Sequence, residues 1–465
     1  MIRRKNQEVV LTSIRRFLRM GATANLLNIL EKERPADIAQ TFRELTERER
    51  RQAFDLLVSR DRARAMEALS ELDRELGAAL LEGRSAEDVS KLLGELPPDD
   101  AVGLVEYLPG ELAETVLDLL HRKDADEVVE LLQHAENTAG RLMNPRTFAL
   151  SETTTSGEAV AKLQQAGGKE LFFYVYVIDD RHHLVGVVSL RRLLLVAPTA
   201  KLKDIMTSDV ISVGLDADQE EVAKLVTSYN VVAIPVVDNE NRLVGTITVD
   251  DVIDVIKDET TEDIQKIGGV EALDEPYINT PFWTLVKKRA RWLVVLFLGE
   301  MLTATAMGYF EKEIAKAVVL ALFVPLVISS GGNSGSQAAS LIIRALALGE
   351  VTLRDWWNVM RREIFSGLAL GGLLGTVAFA RIAGWQLIFH TYGENWLRIA
   401  FTVAISLVGV VLWGTLSGSM LPFVMKRLGA DPAASSAPFV ATLVDVTGLI
   451  IYFSVAAVIL RGTLL

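Results

Sequence analysis

"PFVATLVDVTGLIIYFSVAAVIL" (438–460) holds one charge, Asp445, inside an apolar run long enough to cross a bilayer. About 20 mainly apolar residues span the hydrocarbon core as a helix. A carboxylate at the centre of such a helix costs at least ~2.5–3.5 kcal/mol if it meets lipid. Asp445 therefore faces protein, water or a cation. From Pro432 to Leu460 no other residue is charged. Thr442, Thr447 and Gly448 lie within a turn of it, and small or hydroxyl-bearing residues admit close helices or a wet path. A carboxylate satisfied inside a bundle is the bland reading. Intramembrane ionisable residues are functional by default, which favours a cation pathway.

Four further apolar spans precede this one, at about 292–310, 315–345, 364–389 and 397–424; the last runs 436–460. The second is too long for one straight crossing at ~1.5 Å per residue, so it tilts, bends or extends past the bilayer. Lys287, Lys288, Arg289 and Arg291 precede the first span. Arg344, Arg354, Arg361 and Arg362 separate the second from the third, and Lys426 and Arg427 follow the fourth. The other loops are mixed (Glu311, Lys312, Glu313, Lys316) or sparse (Arg381, Glu394, Arg398). This alternation predicts a cytoplasmic N-terminal part and a C-terminus outside.

Two motifs and one acid stand out in the spans. "PLVISSGGNSGSQAASLIIR" (325–344) reads as a polar, Gly-rich break, with Gly332 and Asn333 beside the ion pathway. Such a break at membrane depth must be buried in protein or face water; tight packing through small residues is the alternative. Gly367, Gly371 and Gly375, four apart, form a helix-packing face. Glu300, in "LFLGEML", snorkels, pairs with an Arg or lines the path; the sequence leaves these open.

Charge is unevenly spread, with −18 over residues 1–280 and +6 over 281–465, making the −12 of the chain. An acidic N-terminal part argues against nucleic acid and favours cations. Without Cys there is no disulfide or thiolate chemistry, and five scattered His give no His-rich metal site. The basic start "MIRRKNQEVVLTSIRRFLRM" lacks a signal-peptide apolar core.

Residues 1–138 read as an all-α, superhelical domain. Apolar residues recur at helical spacing, and "RPAD" (34–37), "RSAED" (84–88), "LPPDD" (96–100) and "LPGE" (108–111) mark helix starts. Residues 139–200 and 201–257 repeat an α+β pattern with a period of roughly 60. Each begins "MNP" or "MTS", passes through "FFYVYVIDD" or "VVAIPVVDNE", and reaches "LVGVVSL" or "LVGTITV". The pair resembles tandem CBS domains. An acidic connecting helix over 250–280 then leads to the five-helix membrane domain, 281–465. Asp251, Asp254, Asp258 and Glu262 share one of its faces, joined by Asp250, Glu259 and Asp263. A solvated linker is the usual reading of such a run.

The order of these parts, with "GGNSGSQAASLIIRALA", "LVDVTGLIIYF" and "ETTEDIQKIGG", resembles the MgtE family of magnesium channels over nearly the whole chain. The resemblance implies a magnesium-selective, magnesium-gated channel for uptake across a bacterial inner membrane, not an enzyme. It implies a homodimer whose shared pore is lined mainly by the second and fifth spans. Asp445 would select the ion, with Ala441 and the backbone around Ala437 nearby. The family often has Asn at the position of Ala437, so the resemblance carries no side-chain contact over to it. Regulatory magnesium would fall on Asp251, Asp254, Glu259, Glu262 and Asp263 of the connecting, or plug, helix. Glu220 would be a CBS partner, and Asp99 or Asp100 the N-domain partner of Asp251. Asn230 replaces an expected Asp. Some relatives hold ATP in the CBS pair; here Thr248, Tyr174 and Arg191 are the candidates, with Thr248…Asp251 keeping the ribose pattern and Ser189…Arg192 departing from it. Rival readings are a broader Mn2+, Co2+ or Ca2+ transporter or exchanger, a CBS-regulated membrane enzyme and a non-conducting sensor. Against the enzyme, the spans carry no HExxH, phosphate loop or nucleophile–base set.

Overall fold

The computed structural model describes residues 2–120, 122–166, 172–273, 277–278, 280–311, 315 and 318–461. Lys312, Glu313 and Lys316 of the loop after the first span lie outside the described residues. The chain forms two compact units, Met1–Asp258 and Glu259–Leu465.

In the first unit, ten helices occupy the described chain between Ile2 and Gln133. Each expected start delivers one, at Pro35, Ala86, Pro98 and Gly110. Pro35 and Pro98 sit in a first turn, where a missing N–H is no loss. Thr46 and Glu49 close a capping box on a further helix. Two helices matter below, α1 (Pro98–Val105) here and α2 (Gln219–Tyr229) in the second repeat. One apolar cluster runs from Ile14 through Phe42, Phe54 and Val105 to Ile234, Ile247 and Val252. The helical domain and the second repeat thus share a core, while the first repeat has its own around Val175, Val188 and Leu193.

The two repeats have the same sheet. β1 (Ala149–Ser151) runs parallel to β2 (Tyr174–Ile178), which pairs antiparallel with β3 (Leu184–Ser189). β4 (Val213–Gly214), β5 (Ala233–Val237) and β6 (Leu243–Thr248) repeat this order. A register irregularity at Val177/Ile178 recurs at Val236/Val237. A Cβ at Gly245 would collide with Met143, and one at Gly186 with Met206. The Met that opens each repeat therefore covers the strand glycine of the other, which is why "M" and "LVG" recur together.

The acidic helix α3 (Val249–Ile267) begins in the first unit, and its last nine residues belong to the second. Five helices in the second unit are long and apolar enough to cross a membrane, among the described residues. Four are α4 (Phe282–Tyr309), α6 (Trp356–Phe389), α7 (Trp396–Arg427) and α8 (Ala437–Ile459). The remaining one, α5 (Val324–Ala347), follows a short helix, Val318–Ala321.

The Gly-rich stretch of the second span is not a break. α5 runs through it, and the interruption falls earlier, between Ala321 and Val324. The glycines instead admit a neighbouring backbone. A Cβ at Gly335 would stand 2.8 Å from the Gly414 carbonyl of α7, and Ser334 Oγ meets Thr415 Oγ1 at 2.8 Å. The Gly367, Gly371, Gly375 face packs as expected: a Cβ at Gly371 or Gly375 would lie 2.8 Å from the backbone of Val408 or Ala404. Close approach through small residues is how membrane helices gain contact without a hydrophobic drive.

α4 and α8 run parallel. Trp292 bonds Ser436, a Cβ at Gly299 would touch Thr442 at 3.0 Å, and Phe310 stacks on Phe453 at 5.2 Å. First and fifth spans must share a direction if five cross in turn.

Candidate functional site

Three of the expected regulatory acids meet in the first unit. Asp99 and Asp100 lie in the first turn of α1, beside its positive N-terminus. Asp251 lies in the first turn of α3 and accepts a 2.7 Å hydrogen bond from Thr248 Oγ1. All three line a cavity of about 290 Å3 together with Arg74, Glu106 and Gln219. Burial, then Asp251 and Asp100, push the Asp99 carboxyl well above its usual range. Burial, then Asp251 and Asp250, push Asp100 up to about 7. Burial raises Asp251 to about 6 against the Thr248 bond. Asp99 Oδ1 is buried with no hydrogen-bond partner. Oxygen donors held together against their mutual repulsion suit a hard divalent cation. Even so, no group of three described His, Asp or Glu side chains is arranged to hold a metal ion.

The other expected acids do not join them. Glu220, in the first turn of α2, is exposed, and its neighbour Gln219 lines the cavity instead. Asp254 is exposed and pairs with Lys257 at 2.5 Å. Asn230, at the C-terminus of α2, adopts a left-handed conformation. Glu259, Glu262 and Asp263 belong to the second unit. There Lys266 contacts Glu262 and bonds Asp431 Oδ2 at 2.6 Å. Burial, then Asp431 and Glu259, raise the half-buried Asp263. Burial lowers Lys266, but its bonds to Asp431 and Glu262 outweigh that and hold it charged. In the sequence Lys257 and Lys266 stand only as two cations among many acids; in the structure they are specific partners of Asp254, Glu262 and Asp431. Asp431 escaped notice there, although it is the acid of an otherwise basic loop.

In the membrane helices Asp445 is half-buried and makes no hydrogen bond or ion pair among the described residues. Glu300 of α4 is near enough for the two carboxylates to repel. The parallel register puts it level with Asp445, and it too has no ion pair among the described residues. Gly332 would place a Cβ 3.7 Å from Ala441, and Ser336 Oγ donates to the Ala437 carbonyl at 3.1 Å. α5 and α8 thus bring Gly332, Ala441 and Ala437 together, with Asn333 exposed beside them. Gly448 is buried against Val410 of α7 and serves packing. The Thr442 and Thr447 hydroxyls donate to Pro438 and Leu443 of their own helix.

Of the nucleotide candidates, Thr248 is engaged by Asp251. Thr246 Oγ1 bonds the Tyr176 hydroxyl at 2.7 Å across the two repeats. Tyr174 and Thr248 lie two residues from this pair, and so on the same strand faces. Arg191 is exposed, one residue beyond the start of a short helix capped by Ser189.

The family model described as a divalent cation transporter, MgtE, matches residues 324–455. That of the MgtE intracellular N domain matches 33–137, and the CBS domain matches 139–198 and 202–258. The magnesium transporter MgtE of Thermus thermophilus is 42% identical over 331 residues, 71% of this chain and 72% of that protein. The magnesium transporter MgtE of Enterococcus faecalis is 34% identical over 331 residues, 71% of each. A crystal structure of the cytosolic domain of the Mg2+ channel MgtE in complex with ATP is similar at 36% identity and a TM-score of 0.50, covering 53% of this chain and 99% of that one.

Proposed function

Because the chain belongs to the MgtE family of divalent cation transporters, we propose that it is a magnesium channel of a bacterial plasma membrane, closed by magnesium inside the cell. The relatives named as magnesium transporters, and the one named as a channel, support the choice of ion and mode. The observation that carries the reading is Asp445, a carboxylate within an apolar helix and without an ion pair among the described residues. Lipid cannot be its neighbour at acceptable cost. In a homodimer, two Asp445 carboxylates across a two-fold axis would hold one ion through its waters, which magnesium sheds reluctantly. Gly332, Asn333, Ala441 and Ala437 would flank the path. With the N-terminus cytoplasmic and the C-terminus outside, the membrane potential drives entry at about 2.3 kcal/mol per charge per 100 mV.

Closure follows from the acids. Asp99, Asp100 and Asp251 repel across their cavity, and Asp254, Glu259, Glu262 and Asp263 extend the charge along α3, with Glu220 beside α2. Cations that neutralise them favour the compact arrangement, and a ligand preferring one state shifts the population toward it. ATP at Thr248, Tyr174 and Arg191 would bias the same equilibrium, as the ATP-bound relative suggests. The description "divalent cation transporter" favours one second reading, a broader carrier of Mn2+, Co2+ or Ca2+.

Voltage-driven magnesium flux into liposomes holding the purified chain, with these ions as competitors, separates the two. Flux that needs no co-ion and resists competition supports the channel; an obligatory co-ion makes the chain an exchanger. Magnesium inhibition unchanged after joint neutralisation of Asp251, Asp254 and Glu259 would sink the gating reading.

A further inference from the structure

The end of the acidic helix and the start of the helix bearing Asp445 meet on one side chain, Trp292 of α4. Its indole N–H, a donor only, bonds Ser436 Oγ at 3.2 Å. Ser436 is fully buried and caps α8, accepting from the Phe439 N–H at 3.4 Å. The indole ring lies 6.3 Å from that of Phe439. On its other side Trp292 covers Gly269, two residues past α3. Gly269 has φ +70°, and a Cβ there would stand 2.8 Å from the indole and 3.2 Å from Pro438. Positive φ and a filled space together require glycine.

Neighbouring contacts grip the same connector. Lys266 of α3 bonds Asp431, whose other oxygen accepts from the Ala433 N–H at 2.8 Å. Ile267 packs on the membrane core, and Arg291 bonds both Glu271 oxygens. The last turn of α3 is thus fastened to the cap of α8, nine residues before Asp445.

We propose that Trp292 is a positioning residue for ion conduction: by holding Gly269 against the Ser436 cap, it carries the state of α3 to α8. Trp292 itself touches no ion. This rests on the gating reading and names its transmission element.

The test uses the full chain in liposomes with two readouts, residual magnesium flux at saturating internal magnesium and protection of α3 from protease by magnesium. Trp292→Phe keeps a ring and loses the N–H. Expected is a residual flux roughly three- to tenfold above wild type, the worth of one hydrogen bond, with protection still saturating at the same magnesium. Ser436→Ala leaks similarly, and the double variant leaks no more than either single, as a direct contact requires. Gly269→Ala, which displaces the ring, leaks as well and keeps the test alive if Trp292→Phe does not fold. Closure of Trp292→Phe as complete as wild type overturns the proposal. So does a leak accompanied by equal loss of protection, or additive leaks in the double variant. Wild-type flux indifferent to internal magnesium would instead overturn the gating reading itself, and this inference with it.

Discussion

Replacing Asp100 by Asn tests the strained acidic cavity directly. Its carboxyl is pushed up to about 7 from 3.8, chiefly by burial and then by Asp251 and Asp250. That rise, at ~1.4 kcal/mol for each factor of ten in the ionisation equilibrium, sets an upper bound of ~4 kcal/mol for keeping Asp100 ionised. Its coupling to Asp99 and Asp251 shares this among three groups, so ~2 kcal/mol is the expected gain on neutralisation. Loss of an acid at the α1 N-terminus offsets at most ~1 kcal/mol. The sign follows from linkage: a raised carboxyl stabilises the compact arrangement at acid pH, and that stability is lost as pH rises from about 4 through about 7. Hydrogen exchange at Pro98–Val105 in the full chain, without divalent cations, reads the effect. At pH 8, Asp100→Asn should slow exchange roughly tenfold, from a net gain of ~1.4 kcal/mol. At pH 5 the advantage should shrink, because wild type is then protonated, and excess magnesium at pH 8 should shrink it too. Exchange no slower than wild type at pH 8, or an advantage undiminished at pH 5, would mean that Asp100 is not held ionised at a cost.

Other expectations concern the membrane unit. Asp445→Asn should fold yet lose at least about tenfold in magnesium flux, if its charge contributes ~1.4 kcal/mol or more to holding the ion; unchanged flux and selectivity would remove its role. Glu300→Gln should lower magnesium flux while leaving thermal stability in detergent intact, since the α4–α8 contact runs through Gly299 and Thr442. Gly414→Val should destabilise the bundle by about 1–3 kcal/mol or more, because its Cβ would strike the Gly331 backbone; an unshifted melting temperature would contradict that packing.

Much of the architecture was legible because its signals are local. Pro35 and Pro98 announce helix starts, the Met and "LVG" pairs announce the repeat, and apolar length announces the spans. Span limits were less legible: α4 begins at Phe282, ten residues before the apolar run, since Lys287 to Arg291 are good helix formers. The glycines of α5 misled because glycine signals a break in isolation but a backbone contact when another glycine helix faces it. Among site residues, Asp251 and Asp99 or Asp100 were paired by resemblance, and the fold brings them to one cavity. Asp431 and Trp292 were missed for a physical reason: their partners lie 165 and 144 residues away, beyond any periodicity.

Magnesium flux into liposomes holding the purified protein, measured while internal magnesium is varied, decides whether magnesium crosses this chain and, from the inside, shuts it. Expected is clear flux at low internal magnesium that falls toward the protein-free baseline as internal magnesium rises. Flux that never exceeds that baseline, or that ignores internal magnesium, would rule out a magnesium-gated magnesium channel.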